Sequence, residues 1–415
     1  MKRRTFMQLG VQLGAAAVGA AVVGRRLGAT AALPAPKRLV VVFATGGWDT
    51  TYALDPKEPA HADVPPGAVQ RFGGLDVFVD PSRPNVAAYF ERHAAVTAIV
   101  RGISVDAINH AECMKRIATG TREETNPDVA AIVAHDLAND LPVPYLVLGD
   151  VAYTGAYAVS AGRIGATNQL AGLVSPQPGD APTDAEAAVM RAYAQASVDR
   201  AHATRGARGY NRARVDDFVA SIDRSARLRG LAGVLGQRGT TLGLAAQVPL
   251  AIEALAQDLS HAVMVSGAAS ALAWDTHVDE VAQGPLHDQL FAALTALVDG
   301  LASRPGRGAG TTMLDDTVVA VISELGRTPR LNASAGKEHW PVTAAMVIGG
   351  GVAGGRVIGA TDPDANALAI DLGSGDVMTG GVKPLYSNLT AGLLELCGVD
   401  PANHLPQEPL GALVG

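Results

Sequence analysis

Continuous apolar stretches alternate along this chain with segments whose apolar positions recur every three or four residues. Leu39-Val40-Val41-Val42-Phe43 is apolar throughout and is followed by Gly46-Gly47, which fits a strand buried on both faces. Further strands are predicted over 95–101 and 144–149, each after a helical pattern, at 86–93 and 128–137. From about 183 to 259 Ala, Arg, Glu and Asp dominate and the apolar residues keep helical spacing, which predicts a helical insertion or cap. The strand pattern returns at 262–266, 317–323, 344–349 and 356–359, with helices over 286–301 and 387–396. Such alternation predicts the α/β class, with a mainly parallel, doubly wound sheet. The glycines from Gly349 to Gly355 lack the Lys-Ser/Thr of a phosphate loop and read as a hairpin turn.

The 415 residues are 48% hydrophobic but only 4% aromatic, so a large core must be built from Ala, Val and Leu. Lys2-Arg3-Arg4, followed by an uncharged stretch from Leu9 to Gly24 that is almost wholly Ala, Gly, Val and Leu, reads as a twin-arginine (Tat) export signal. The stretch is shorter than the roughly 20 apolar residues of a membrane span. A cleavage pattern follows at Ala29-Thr30-Ala31, so the expected organisation is a signal over 1–31 and one domain over 32–415. That predicts a periplasmic or secreted protein that meets the Tat translocase during export and has no stable membrane span after cleavage. Retention of the segment as an anchor is the alternative. Removing 1–31 deletes Lys2, Arg3, Arg4, Arg25 and Arg26 and no acid, taking the formal net charge from −7 to −12. An acidic protein is a poor nucleic-acid binder. Cys113 and Cys397 are expected to be free and buried.

The chemistry-bearing residues cluster in four places: Gly46-Gly47-Trp48-Asp49, Trp274-Asp275-Thr276-His277, Ser323-Glu324-Leu325-Gly326-Arg327-Thr328 and Glu338-His339-Trp340. Divalent ions select deprotonated acids and neutral imidazoles, and parallel strands deliver their following loops to one edge of a sheet. Asp49, Asp275, His277, Glu324 and His339 are therefore candidate ligands for a divalent ion such as Zn, Ca, Mg or Mn. Each also has a structural use: Asp49 as a turn acid, Glu324 as the partner of Arg327 or Arg330, and His339 packed beside Trp340. The arginines Arg205, Arg208, Arg212 and Arg214 read as a solvated helix face.

In their order, these segments resemble the domain of unknown function 1501 family, whose members are typically Tat-exported and similar to the alkaline-phosphatase and sulfatase superfamily. The resemblance covers most of the chain after the signal and is strongest from Ala273 to Asp362. It implies an alkaline-phosphatase-like α/β/α sandwich, with Asp49 as the first-strand metal acid. It further implies that Asp275, His277 and His339 share one metal, and that Glu324 holds a second. Displacement at phosphorus or sulfur of a small anionic ester is the implied reaction, with Arg327 and His110 as catalytic residues. Two positions depart from the pattern. Leu325 follows Glu324 where the superfamily has His, and His110 stands nine residues before Thr119-Gly120, where the nucleophile is a Ser, Thr or Cys. The hydroxyls of Ser104, Thr50 and Thr51 are substitutes off that position.

The expectation is an exported, metal-dependent hydrolase-like protein acting on a phosphate or sulfate ester. The alternative, favoured by Leu325 and His110, is an inactive member of the same fold that serves as a periplasmic or surface binding or assembly protein. A cofactor-dependent oxidoreductase has only the export signal in its favour.

Overall fold

The computed structural model describes residues 33–123, 125–164, 169–174, 183–204, 208–228 and 242–415. The predicted export signal lies outside the described residues, as do Arg205 and residues 229–241 of the predicted insertion. Every element named below belongs to the second of the chain's two units, Pro34–Gly415.

Twelve strands follow in chain order: β1 (Arg38–Phe43), β2 (Ala68–Phe72), β3 (Leu75–Val79), β4 (Thr97–Ser104), β5 (Tyr145–Val147), β6 (Ala161–Arg163), β7 (Ala262–Ser266), β8 (Thr317–Ile322), β9 (Gly326–Arg327), β10 (His339–Trp340), β11 (Val342–Gly349) and β12 (Arg356–Ile358). Eight of them form one sheet in the order β12-β4-β11-β8-β1-β7-β5-β6. All its pairings are parallel except those of β11, which runs against both β4 and β8. The expected mainly parallel α/β class is therefore the observed one. β1 lies between β7 and β8, and its apolar run follows from the cores that cover both its faces. Val40 and Val42 enter one core, while Leu39, Val41 and Phe43 enter the other.

Helices cover both faces. On one side lie α1 (Pro84–His93) and two helices met later in the chain; on the other lie α2 (His110–Thr119) and α3 (Val129–Ala138). After α4 (Gln169–Val174), α5 (Asp184–Ala203) and α6 (Gly209–Arg227) pack on each other. Next, α7 (Leu244–Ala256) and α8 (Gln283–Ala302) join α1, and α9 (Tyr386–Leu396) joins α2 and α3. Of the helices described within the predicted insertion, α7 packs into the core, with Ala251, Ala254 and Leu255 buried. Cys113 and Cys397 are free and buried, as the sequence predicts.

The segment 349–355 is not the hairpin turn expected from its glycines. Its flanking strands β11 and β12 lie on opposite sides of β4, so it crosses between strands that are not neighbours. Among the described residues no helix is long and apolar enough to cross a membrane.

The sheet topology decides where the chemistry can gather. β1, β4, β7 and β8 all point the same way, so the loops after Phe43, Ser104, Ser266 and Ile322 emerge at one edge. Because β11 is antiparallel it begins at that edge, and the residues just before it arrive there too. Open α/β sheets bind ligands at this carboxyl edge.

Candidate metal centre

Four segments deliver side chains to the edge. His110 is the first residue of α2, whose start is set by Asn109 accepting from the Glu112 N–H. Asp275 and His277 lie in the loop after β7, Glu324 follows β8, and His339 opens β10 in the run-up to β11. Gly46 makes the assembly possible. It has φ +119, and a Cβ there would stand 2.5 Å from the backbone nitrogen of Asp275. The loop after β1 can therefore lie against the loop after β7 only where there is no side chain.

Donor atoms of His110, Asp275 and His339 lie within 4.8 Å of one another. The Nε2 of His110 is 3.3 Å from Asp275 Oδ2, and that of His339 is 3.4 Å from Asp275 Oδ1. His277 adds a third ring, its Nε2 3.1 Å from Asp275 Oδ1 and 2.9 Å from His339 Nε2. Its side chain is 39% exposed against 17% and 18% for the other two, so it marks the open side.

The partners of the opposite ring nitrogens fix the tautomers. Each Nδ1 faces an oxygen that can only accept: Glu324 Oε1 at 2.8 Å for His110, Glu338 Oε2 at 2.8 Å for His277, and the Ile108 carbonyl at 2.6 Å for His339. In each neutral ring Nδ1 must therefore donate, which leaves a lone pair on Nε2. Three Nε2 atoms thus converge on one carboxylate, and the 2.9 Å contact between those of His277 and His339 requires a proton or a cation there. His110 Nε2 is buried without a hydrogen-bond partner. Histidines that bind metals are held in this way, with the far nitrogen tied to a carboxylate or carbonyl. The donor set, imidazole nitrogens with one carboxylate oxygen, suits zinc and other borderline divalent ions. The residues present fit a metal.

Charge supports the arrangement. The hydrogen bond to Glu324 holds the His110 pKa above its usual value, with Asp275 adding to it. Burial pushes His339 down. Partial burial pushes Asp275 upward, but the bond from Arg327 and the nearby His110 and His339 outweigh it and hold that carboxyl below the usual range.

The remaining expected site residues are placed otherwise. Glu324 has no exposed side-chain surface, and its Oε1 accepts from the Gly46 N–H (2.7 Å) as well as from His110. It stands behind a ligand. Leu325 packs with Val105 and Cys113. Asp49 is not brought into the cluster. Its Oδ2 pairs with Lys337 Nζ at 2.5 Å, and its Oδ1 accepts from the N–H and hydroxyl of Thr51. The Lys337 and Asp49 side chains are 0% and 1% exposed. Arg327, expected to be catalytic, is enclosed. It donates to the carbonyls of Gly46, Gly47, Trp274 and Lys337 and to Asp275 Oδ1 at 2.7 Å, so it ties three loops together. Gln283 does similar work, accepting from the Asp49 N–H and donating to Trp274 O and Thr276 Oγ1.

Sequence reasoning missed Lys337, Gln283 and Glu280. Lys337 carried a signal, as a lysine directly before Glu338-His339. Gln283 and Glu280 carried none, because they sit on a helix start and on the turn before it. Burial raises the Glu280 pKa to about 8, with Asp49 adding to the rise. Its Oε2 accepts from Thr276, between Asp275 and His277.

Fold and site together define an α/β/α sandwich protein carrying a histidine–aspartate cluster at the carboxyl edge of its sheet. Residues 236–403 match the family model described as "Protein of unknown function (DUF1501)". The resemblance read from the motifs is borne out there, and the match contains Asp275, His277, Glu324 and His339. No curated protein sequence matches the chain. Among solved structures the chain is similar to a protein in the alkaline phosphatase superfamily from Vibrio parahaemolyticus (10% identity, TM-score 0.39, covering 89% of this chain and 68% of that one). It is also similar to the alkaline phosphatase of the Antarctic bacterium TAB5 (10%, 0.37, 88% and 99%). A third similar structure is the lipoteichoic acid synthase LtaP from Listeria monocytogenes (8%, 0.40, 91% and 76%).

Proposed function

We propose that this chain holds one divalent cation between His110, Asp275 and His339 and hydrolyses a phosphate or sulfate ester there. The observation that carries the reading is the set of three imidazoles whose Nδ1 atoms are all anchored on oxygen, so that three Nε2 lone pairs meet at Asp275. A bound divalent ion would supply Lewis-acid charge stabilisation and a water of lowered pKa.

The protein's own contributions follow from position. His110, Asp275 and His339 fix the ion, and Arg327 keeps Asp275 in place. His277 stands on the open side, where its Nε2 can accept the proton of an attacking water. Glu338 then steadies the imidazolium through Nδ1. Arg327 touches no substrate in this scheme. Export by the Tat route to the periplasm or beyond belongs to the same proposal and rests on Arg3-Arg4 and the apolar stretch after them.

One observation favours a second reading, a metal-binding protein without turnover. Two of the three candidate hydroxyls are engaged elsewhere, Thr51 with Asp49 and Ser104 with Asp106. If neither of these hydroxyls serves as nucleophile, a reaction would run by direct attack of water.

Metal analysis of purified protein, followed by a panel of aryl phosphates and aryl sulfates with and without chelator, tests both readings. The hydrolase reading expects one ion per chain, loss of the ion in His110→Ala, and turnover that disappears on chelation and in His277→Asn. An ion without turnover on any ester supports the binding protein, and absence of any ion overturns both.

A further inference from the structure

A cavity of about 650 Å³ opens beside the loop that carries Asp275 and His277, and none of the metal-centre residues lines it. Its walls are apolar, formed by Val64, Pro65, Pro66, Val281, Pro285 and Leu331. Its floor is polar and under-bonded. Arg83 is 1% exposed and donates through Nη1 to the Tyr52 carbonyl, with its guanidinium over the Tyr52 ring at 4.9 Å. The Nε and Nη2 hydrogens form the edge that grips a carboxylate side-on, and both lack a hydrogen-bond partner. The nearest acid, Asp80, is 3.8 Å from Nη2, too far for a hydrogen bond. Glu280 is 2% exposed, and its Oε1 is likewise without a partner. Buried polar groups are normally satisfied, so two such groups lining one cavity point to a molecule that supplies an acceptor to one and a donor to the other.

Charge narrows the choice. Asp63, at the mouth, is already engaged by Arg330 at 3.2 Å and by the Leu331 N–H. Asp80 and Asp279 remain against the one guanidinium, and Glu280, which burial keeps protonated near neutral pH, becomes a third carboxylate once a cation approaches it. A simple anion would meet a surplus of carboxylates, whereas a simple cation would leave the Arg83 fork empty. We propose that the cavity binds a small zwitterion with an apolar body, an apolar α-amino acid being the simplest such molecule. Its carboxylate sits on Arg83 Nε and Nη2, its ammonium faces Glu280 and the neighbouring aspartates, and its side chain lies among the prolines, Val281 and Leu331.

The test is isothermal titration of the full chain with L-leucine and L-phenylalanine, backed by saturation-transfer NMR for weak binding. Chelator is present throughout, so the outcome is independent of the metal centre. Controls are 4-methylpentanoate, which has only the carboxylate, and isoamylamine, which has only the ammonium. The amino acids are expected to bind, and each control roughly tenfold more weakly or worse, the loss that follows removal of a charge-assisted pair. Arg83→Met should weaken binding by a similar factor. Because that buried residue also bears on folding, Leu331→Trp is the second variant. Leu331 is 44% exposed, so the added ring should block the cavity while the ligand-free melting temperature stays as in the wild type. Absence of binding at millimolar amino acid, equal binding of the single-charge analogues, or undiminished binding in Leu331→Trp would each overturn the proposal.

Discussion

Replacing Glu324 by Gln separates the two roles that an acid at this position can play. In the structure its carboxylate is a support: Oε1 accepts from His110 Nδ1 at 2.8 Å and from the Gly46 N–H at 2.7 Å, with Ser323 Oγ 3.4 Å from Oε2. Gln keeps the shape and can keep every bond. Its amide oxygen accepts from His110 and Gly46, and its NH2 turns to Ser323 Oγ, which already donates to the Ala44 carbonyl and has a lone pair to spare. The fold should therefore survive, and what changes is the charge behind His110. Loss of a carboxylate behind a ligating histidine weakens metal binding by about 10 to 100-fold, or about 1.4–2.8 kcal/mol. The measurement belongs at about pH 8, well above the ordinary histidine pKa. At lower pH a second effect intrudes, because the hydrogen bond to Glu324 is the main cause of the raised His110 pKa. Without that charge the proton competes less well, which offsets part of the loss in acid. Two readouts check the reasoning: zinc affinity by competition with a chelating dye, and the His110 titration in metal-free protein by NMR, which should move down. An affinity within a factor of two of wild type would refute the supporting role. So would a wild type that binds two ions and a variant that binds one, since Glu324 would then be a ligand.

Lys337→Met leaves the buried Asp49 carboxylate without its cation and should cost about 3–5 kcal/mol in urea unfolding, with Asp49→Asn recovering much of it in the double variant. A double variant no more stable than Lys337→Met would mean that Lys337 stabilises through other contacts. His287 lies between aromatic rings, fully buried, and burial lowers its pKa to about 3. A base with a depressed folded pKa lends stability that is present above the unfolded value near 6.5 and lost as pH falls from there toward 3. Acidification from pH 7.5 to 5 should thus cost about 2 kcal/mol through this residue, and His287→Phe should flatten that part of the pH–stability curve; parallel curves would contradict it. Gly46→Ala should push the Asp275 backbone away and lower zinc affinity, whereas Gly73→Ala, also at positive φ but with no atom within 4 Å, should cost only about 1–2 kcal/mol of stability and leave zinc binding unchanged.

What the sequence could reveal depended on whether a residue's role was set by its own strand or by a distant partner. β1, β7 and β8 were legible because strands in a sheet covered by helices on both faces must be apolar on both faces, and 262–266 needed no correction at its ends. The arrival of Asp275 and Glu324 at one edge followed from parallel strands, whereas His339 reaches it because β11 runs antiparallel. The three-residue strand β6 was too short to carry a period, and the amphipathic α2 was hidden by the polar Glu112, Lys115 and Arg116 around its buried Cys113 and Ile117. Asp49 shows the other limit. A Gly-Gly turn followed by Asp at a strand end looks the same whether the acid faces a metal or a lysine. Here the deciding partner, Lys337, is 288 residues away. Once Lys337 occupies Asp49 and Glu324 is turned to His110, the ligand set contracts from five residues spread over the edge to the compact group around Asp275. Under the proposed function that contraction replaces the two implied metals with one ion backed by Glu324, and it makes the stoichiometry of bound metal the sharpest single number to measure.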